Sequence, residues 1–163
     1  LDEDAPPPPA PGLPVRRITL NMGGDSTGIS PAAGGHHHGE TVTEAGMTGA
    51  GVGDFGINGR PFDMGRVDFG TTIGSRERWV IGGGGTVEHP FHVHGCRFRV
   101  VSEGGGAAPS VQNRGWKDVV LVSGSTEIEM EFLHGADPAH PYMLHCHILE
   151  HEDAGMMAQF SVT

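Results

Sequence analysis

Apolar and polar residues alternate along this chain in short runs, each broken within a few residues by glycine, proline or serine. The clearest run is "TEIEMEFL" at 126–133. There Ile128, Met130 and Phe132 fall on one parity and Glu127, Glu129 and Glu131 on the other. Period two of this kind marks a strand with one face buried. "VRRITLNM" (15–22), "RERWVIG" (76–82), "RFRVVS" (97–102) and "KDVVLVS" (117–123) read the same way, as do "YMLHCH" (142–147) and "MAQFSV" (157–162). "FGING" adds a strand end. The last two of the longer central runs, 117–123 and 126–133, are predicted to form a hairpin across the Ser-Gly turn. No segment has the spacing of an amphipathic helix and no repeat is evident. Roughly eight short strands with Gly/Pro turns predict an all-β Greek-key sandwich.

Two stretches fall outside that pattern. Residues 1–14 are proline-rich and predict an extended linker, leaving 15–163 as the single domain. Residues 23–53 are rich in Gly, Ser and Thr and predict a long loop carrying His36, His37 and His38. That triplet reads either as a solvated loop or as a weak copper-collecting site, since adjacent flexible histidines lack a fixed geometry.

Composition changes the picture little. The 163 residues hold 28 Gly and 12 Pro, in keeping with turns rather than helices. A net charge of −10 argues against a nucleic-acid partner, which needs a basic face. No apolar run approaches the roughly 18–20 residues of a membrane span. The acidic, proline-rich start is unlike a signal peptide and predicts a processed end or the middle of a longer polypeptide. "GGGG" at 82–85 lacks the Gly-Lys-Ser/Thr of a phosphate loop, and no Gly-x-Ser-x-Gly elbow is present.

The chemistry concentrates in "HPFHVHG" (89–95) and "HCHILEHEDAGM" (145–156). On a strand, residues two apart share a face. His145 and His147 therefore point one way and Cys146 the other. His92 and His94 likewise share a side, with His89 opposite. Two metal sites back to back follow. The first takes His89, Cys146, His151 and Met156, and the thioether favours copper over zinc. Met157 could replace Met156 by a one-residue shift, but is expected in the core. The second site takes His92, His94, His145 and His147.

At these residues the chain resembles the C-terminal cupredoxin domain of multicopper oxidases, most closely the bacterial copper-efflux branch of the laccase-like family. "INGRPFDM", "ERWVIGG", "HPFHVHG", "GWKDVVLV" and "HCHILEHEDAGMM" carry the resemblance in family order, over roughly two thirds of the chain. It implies a type 1 copper on His89, Cys146, His151 and Met156, a type 2 copper on His92, and a type 3 pair on His94, His145 and His147. It also implies Glu152 as a proton-delivering carboxylate, Asp118 as structural, and a periplasmic or secreted setting. The implied reaction passes electrons from small organic reductants or Cu(I) to dioxygen, giving water. Where the efflux branch has an Asp and a Met that bind substrate Cu(I), this chain has Gly85 and Val87, which favours a laccase-like role. Cys96, beside His94, is another departure and reads as a small buried residue. One copy supplies half of the histidines of the trinuclear cluster. N-terminal domains or a homo-oligomer must supply the others. A stand-alone blue-copper carrier, or a copper-binding module without oxidase activity, is the alternative.

Overall fold

A computed structural model describes residues 10–22 and 55–163. The loop carrying His36–His38 and most of the proline-rich segment lie outside the described residues. In chain order the strands are β1 (Val15–Asn21), β2 (Gly56–Ile57), β3 (Phe69–Thr71), β4 (Arg76–Gly83), β5 (His89–Val93), β6 (Phe98–Ser102), β7 (Val119–Val122), β8 (Ser125–Glu131), β9 (Tyr142–Cys146) and β10 (Met157–Val162). A five-residue helix, α1 (Leu149–Asp153), links the last two, and a 3-10 turn spans Val111–Asn113. Five strands form one sheet in the order β2-β1-β4-β8-β6, and five form the other in the order β3-β10-β9-β5-β7. The all-β sandwich expected from the alternation is present, with two short strands that the pattern left unmarked.

The core lies between the sheets. Trp79, Phe91, Phe98, Phe132 and Phe160 are fully buried there. Trp79 meets Phe160 edge-on, with ring centroids 5.8 Å apart, a favoured aromatic geometry. Burying such side chains contributes about 1.5–3 kcal/mol each. Among the described residues no helix is long and apolar enough to cross a membrane.

The expected hairpin of 117–123 with 126–133 does not form. β7 pairs with β5 in one sheet, whereas β8 pairs with β4 and β6 in the other. The turn at Gly124, with φ of +75°, carries the chain across the sandwich. Alternation fixes which side of a strand is apolar; it does not distinguish a neighbour in the same sheet from one facing it across the core. The glutamate face of β8 is also not uniformly solvated. Glu129 is buried, paired with Arg76 and Arg99. Its Oε2 also accepts from the Ala10 N–H at 3.2 Å, while Arg78 donates to the Ala10 carbonyl at 3.3 Å. The end of the proline-rich segment is thereby tied to the outer face of the sheet.

Glu77 has the inward parity of β4 but is charged, so it needs partners. Arg16 on β1 grips both of its oxygens, at 2.8 and 2.9 Å. Trp79 Nε1 donates to it at 2.8 Å and Thr71 on β3 at 3.0 Å, which joins the two sheets. Burial pushes the Glu77 carboxyl up, but the hydrogen bonds from Arg16, Trp79 and Thr71 and the Arg16 charge outweigh it and hold it below the ordinary range. A lowered carboxyl stabilises the fold above its unfolded-state pKa, and that stability is lost as pH falls through the folded value. Glu77→Gln is therefore expected to cost about 2 kcal/mol at neutral pH, from lost charge-assisted hydrogen bonds. The deficit relative to the parent should shrink in denaturant melts run at progressively more acid pH.

Candidate metal centre

β9 runs antiparallel to β5, with Cys146 opposite Phe91 and His145 opposite His92. Strand parity then decides every direction. Cys146, Phe91 and His89 turn into the core and are fully buried. His92 and His145 turn to the outer face of the same sheet. His151 arrives on α1, a single turn that closes at Gly155, whose φ of +110° suits only glycine. Sequence patterning missed this helix because five residues are too few for a periodic signal.

In the inner pocket Cys146 Sγ lies 3.5 Å from His89 Nδ1 and 3.6 Å from His151 Nδ1, and the two nitrogens are 3.3 Å apart. A carbonyl only accepts, so the 3.2 Å contact of His89 Nε2 with the Gly84 oxygen puts the His89 proton on Nε2. His89 Nδ1 thus presents a lone pair. A single thiol proton cannot satisfy two imidazoles and a sulfur, so the three atoms converge short of hydrogens. A triangle of these sides has its centre about 2 Å from each corner, close to a metal–imidazole bond of about 2.0–2.1 Å. Soft sulfur with two imidazoles fits copper. Met156 is fully buried beside them. Its N–H donates to the His151 carbonyl at 2.9 Å, and its carbonyl accepts from the Cys146 N–H at 3.1 Å. Met157 is not in the core. It opens β10 opposite His145, on the outer-face parity shared with Gln159 and Ser161, and is half-buried.

Outside, the ligand atoms of His92, His94 and His145 all lie within 4.8 Å of one another. His94 Nε2 and His145 Nε2 approach to 3.2 Å. His92 Nδ1 donates to the Asp118 carbonyl at 2.8 Å, and His145 Nδ1 to that of Cys146 at 3.0 Å. Both keep Nε2 toward the cluster. Asp118 thus acts here through its backbone. Exposed His147 stands at the margin, its ring 5.4 Å from that of His145 and 5.9 Å from that of His92. Glu152 Oε2 lies 3.3 Å from His145 Nδ1.

Burial sets the charge states. It lowers His94, helped by the neighbouring His92, His145 and His147 against the pull of Glu152. It lowers His151, with His89 adding to the effect and Glu150 opposing it. Burial pushes the Cys146 thiol up, against a backbone hydrogen bond from Ile148, and the Glu152 charge adds to the rise. Without metal, His94, His151 and the Cys146 thiol are therefore biased toward their neutral forms, and metal entry must release the thiol proton.

A family model described as multicopper oxidase matches residues 36–163. The chain belongs to the multicopper oxidase family. Multicopper oxidase mco of Staphylococcus aureus is 41% identical over 111 residues, covering 66% of this chain and 24% of the relative. Cell division protein FtsP of Dickeya dadantii is 39% identical over 104 residues, covering 64% of this chain and 21% of the relative. The chain thus spans about a quarter of the length of the curated relatives it matches. Among solved structures, the laccase-like multicopper oxidase CueO from Ochrobactrum sp. superposes with a TM-score of 0.72 and 33% identity, over 98% of this chain and 33% of that one. McoA from Aquifex aeolicus gives 0.68 and 26%, over 99% and 32%. The cofactor of the family is copper, in agreement with the donor set.

Two contributors escaped the sequence reading. The Phe55 ring lies 5.1 Å from that of His151, and Gly84 reaches His89 through its carbonyl; neither has a side-chain signal of metal chemistry. Cys96 is half-buried, and burial pushes its thiol up to about 11. Native, metal-free chain is therefore expected to react slowly at both cysteines with an aromatic disulfide reagent near pH 8, and promptly at both in denaturant. Rapid labelling of either thiol in the folded chain would contradict the burial described.

Proposed function

We propose that this chain is the electron-accepting copper domain of a laccase-like multicopper oxidase. His89, Cys146, His151 and Met156 would hold type 1 copper, His92 type 2 copper, and His94, His145 and His147 the type 3 pair. The observation that carries this reading is the convergence of Cys146, His89 and His151 on one side of β9, with His145 and its imidazole neighbours on the other. Relatives of similar identity include both an oxidase and a cell division protein, so family membership alone does not decide activity; the Cys146, His89 and His151 donors are what favour the oxidase reading.

Bound copper supplies a one-electron couple at the first pocket and an oxygen-reducing centre at the second. The chain's own residues do the rest. His89 is sealed in the core, so the partly exposed His151 offers the edge through which a reductant makes contact. Cys146 joins the pockets covalently, since its backbone neighbours are His145 and His147. Glu152, with Oε2 3.3 Å from His145 Nδ1 and part of its carboxylate exposed, would carry protons from solvent toward the outer pocket. Gly85 and the exposed Val87 provide no side-chain ligand for Cu(I), which points to small organic reductants as the substrate class. The Ochrobactrum relative is described as acting on lignin model compounds and lignosulfonate, a precedent of that chemistry. The preceding domains of the longer protein would supply the other imidazoles, and residues 1–14 would be the linker to them. A periplasmic or secreted setting belongs to the same proposal.

Copper-loaded chain should be blue from thiolate-to-copper charge transfer, and Cys146→Ser should abolish the colour. Met156→Leu should keep it and raise the reduction potential, because a donor that favours the oxidised ion is lost. Tight copper binding without colour in the parent would sink the assignment, and a potential that moves only with Met157→Leu would move the axial role to that residue.

Oxygen chemistry gives a separate expectation. The isolated chain should hold type 1 copper and consume no dioxygen at any protein concentration, whereas the full-length protein should. Uptake that rises as the isolated chain dimerises would instead mean that a second copy completes the cluster.

A further inference from the structure

The glycine run at 82–85 matches no phosphate loop, and its conformation shows what it does. Gly82 pairs with Ser125 in the ladder. Gly83 and Gly84 then take φ of +90° and +76°, the left-handed region that side chains rarely adopt. A Cβ on Gly83 would collide with the Leu20 carbonyl of β1. A Cβ on Gly84 would collide with His89 Nε2 and Cδ2 and press against Cε1, the Nε2 edge of the imidazole. Gly85 has φ of +66° but nothing within 4 Å of its would-be Cβ. Gly84 is buried while Gly83 and Gly85 on either side are exposed. The loop thus dips at one residue, and that residue lies against His89.

We infer that Gly84 is a positioning residue of the first metal pocket, setting the tautomer and seat of His89 through its backbone carbonyl. The carbonyl holds the proton on Nε2 at 3.2 Å, which leaves Nδ1 bare and aimed at Cys146 and His151. Only glycine lets the main chain come so close. Outer partners of this kind typically change metal affinity about 10- to 100-fold when lost. The metal part of this inference rests on the proposed reading of the pocket; the tautomer does not.

Two measurements test it. In metal-free parent chain, nitrogen-15 shifts of His89 should report a fixed Nε2–H tautomer. A His89 that is Nδ1-protonated, or that averages between tautomers, would overturn the inference. Gly84→Ala is then compared with Gly85→Ala, which carries the same backbone penalty without the collision. Copper affinity should fall about 10- to 100-fold in Gly84→Ala, with a displaced visible spectrum and a loss of the His89 tautomer signature, while Gly85→Ala stays at the parent's values. Equal behaviour of the two variants would also overturn it. Should Gly84→Ala fail to fold, the parent tautomer decides. A colourless parent that keeps the Nε2–H tautomer would sink the proposed metal site while leaving the Gly84 contact standing.

Discussion

Successive side chains of a strand leave on opposite faces, and at the end of β9 that constraint falls on His145 and Cys146. Cys146 must enter the core if Leu144 does, and His145 must then face outward. β5 repeats the rule with His89 inward and His92 outward, in a register that sets His92 opposite His145. Two pockets of different chemistry therefore stand one peptide apart, with the sheet as the wall between them. A slip of one residue would exchange every ligand between faces. The bond from the Cys146 N–H to the Met156 carbonyl at 3.1 Å opposes such a slip by tying the strand to the segment that returns from α1.

Around that wall the protein settles which atoms are offered. Burial biases His94, His151 and the Cys146 thiol toward their uncharged forms in the absence of metal. Backbone carbonyls then choose the nitrogen: Gly84 takes Nε2–H of His89, while Asp118 and Cys146 take Nδ1–H of His92 and His145. The inner histidine consequently presents Nδ1 and the outer pair present Nε2. Aromatic packing supports the arrangement from behind, with Phe91 on β5 directly opposite Cys146. The Arg16–Glu77 cluster joins the sheets far along the same sandwich. Packing of this kind would suit the proposed one-electron site, because little would have to move when the charge on the ion changes.

Much of the site was legible in the sequence because its ligands are uncommon residues set at strand parity. His89 and Cys146 meet as that parity required, and so do His92, His94 and His145; His151 joins the first pair from α1, where strand parity says nothing. His147 lies just past the strand end and stands aside from them. What parity could not give was neighbourhood. β7 and β8 turn apolar faces toward each other across the core, and the same pattern would serve a hairpin. Met157 was misjudged because β10 begins only at that residue, so its face depends on where α1 ends. Glu129 is buried because its two neighbouring strands, β4 and β6, bring arginines over it, a fact spread across distant segments. Gly84 acts through a carbonyl, which every residue possesses, so only the shape of the loop reveals its part.

The proposed function requires Cys146, His89 and His151 to share one copper ion. Anomalous diffraction at the copper edge from copper-loaded crystals of this chain tests that most directly. The result expected is a peak inside the sandwich, bonded to Cys146 Sγ and to Nδ1 of both His89 and His151, with Met156 alongside. A copper peak confined to the outer histidines, with the inner pocket empty and the Cys146 thiol unbound, would contradict it.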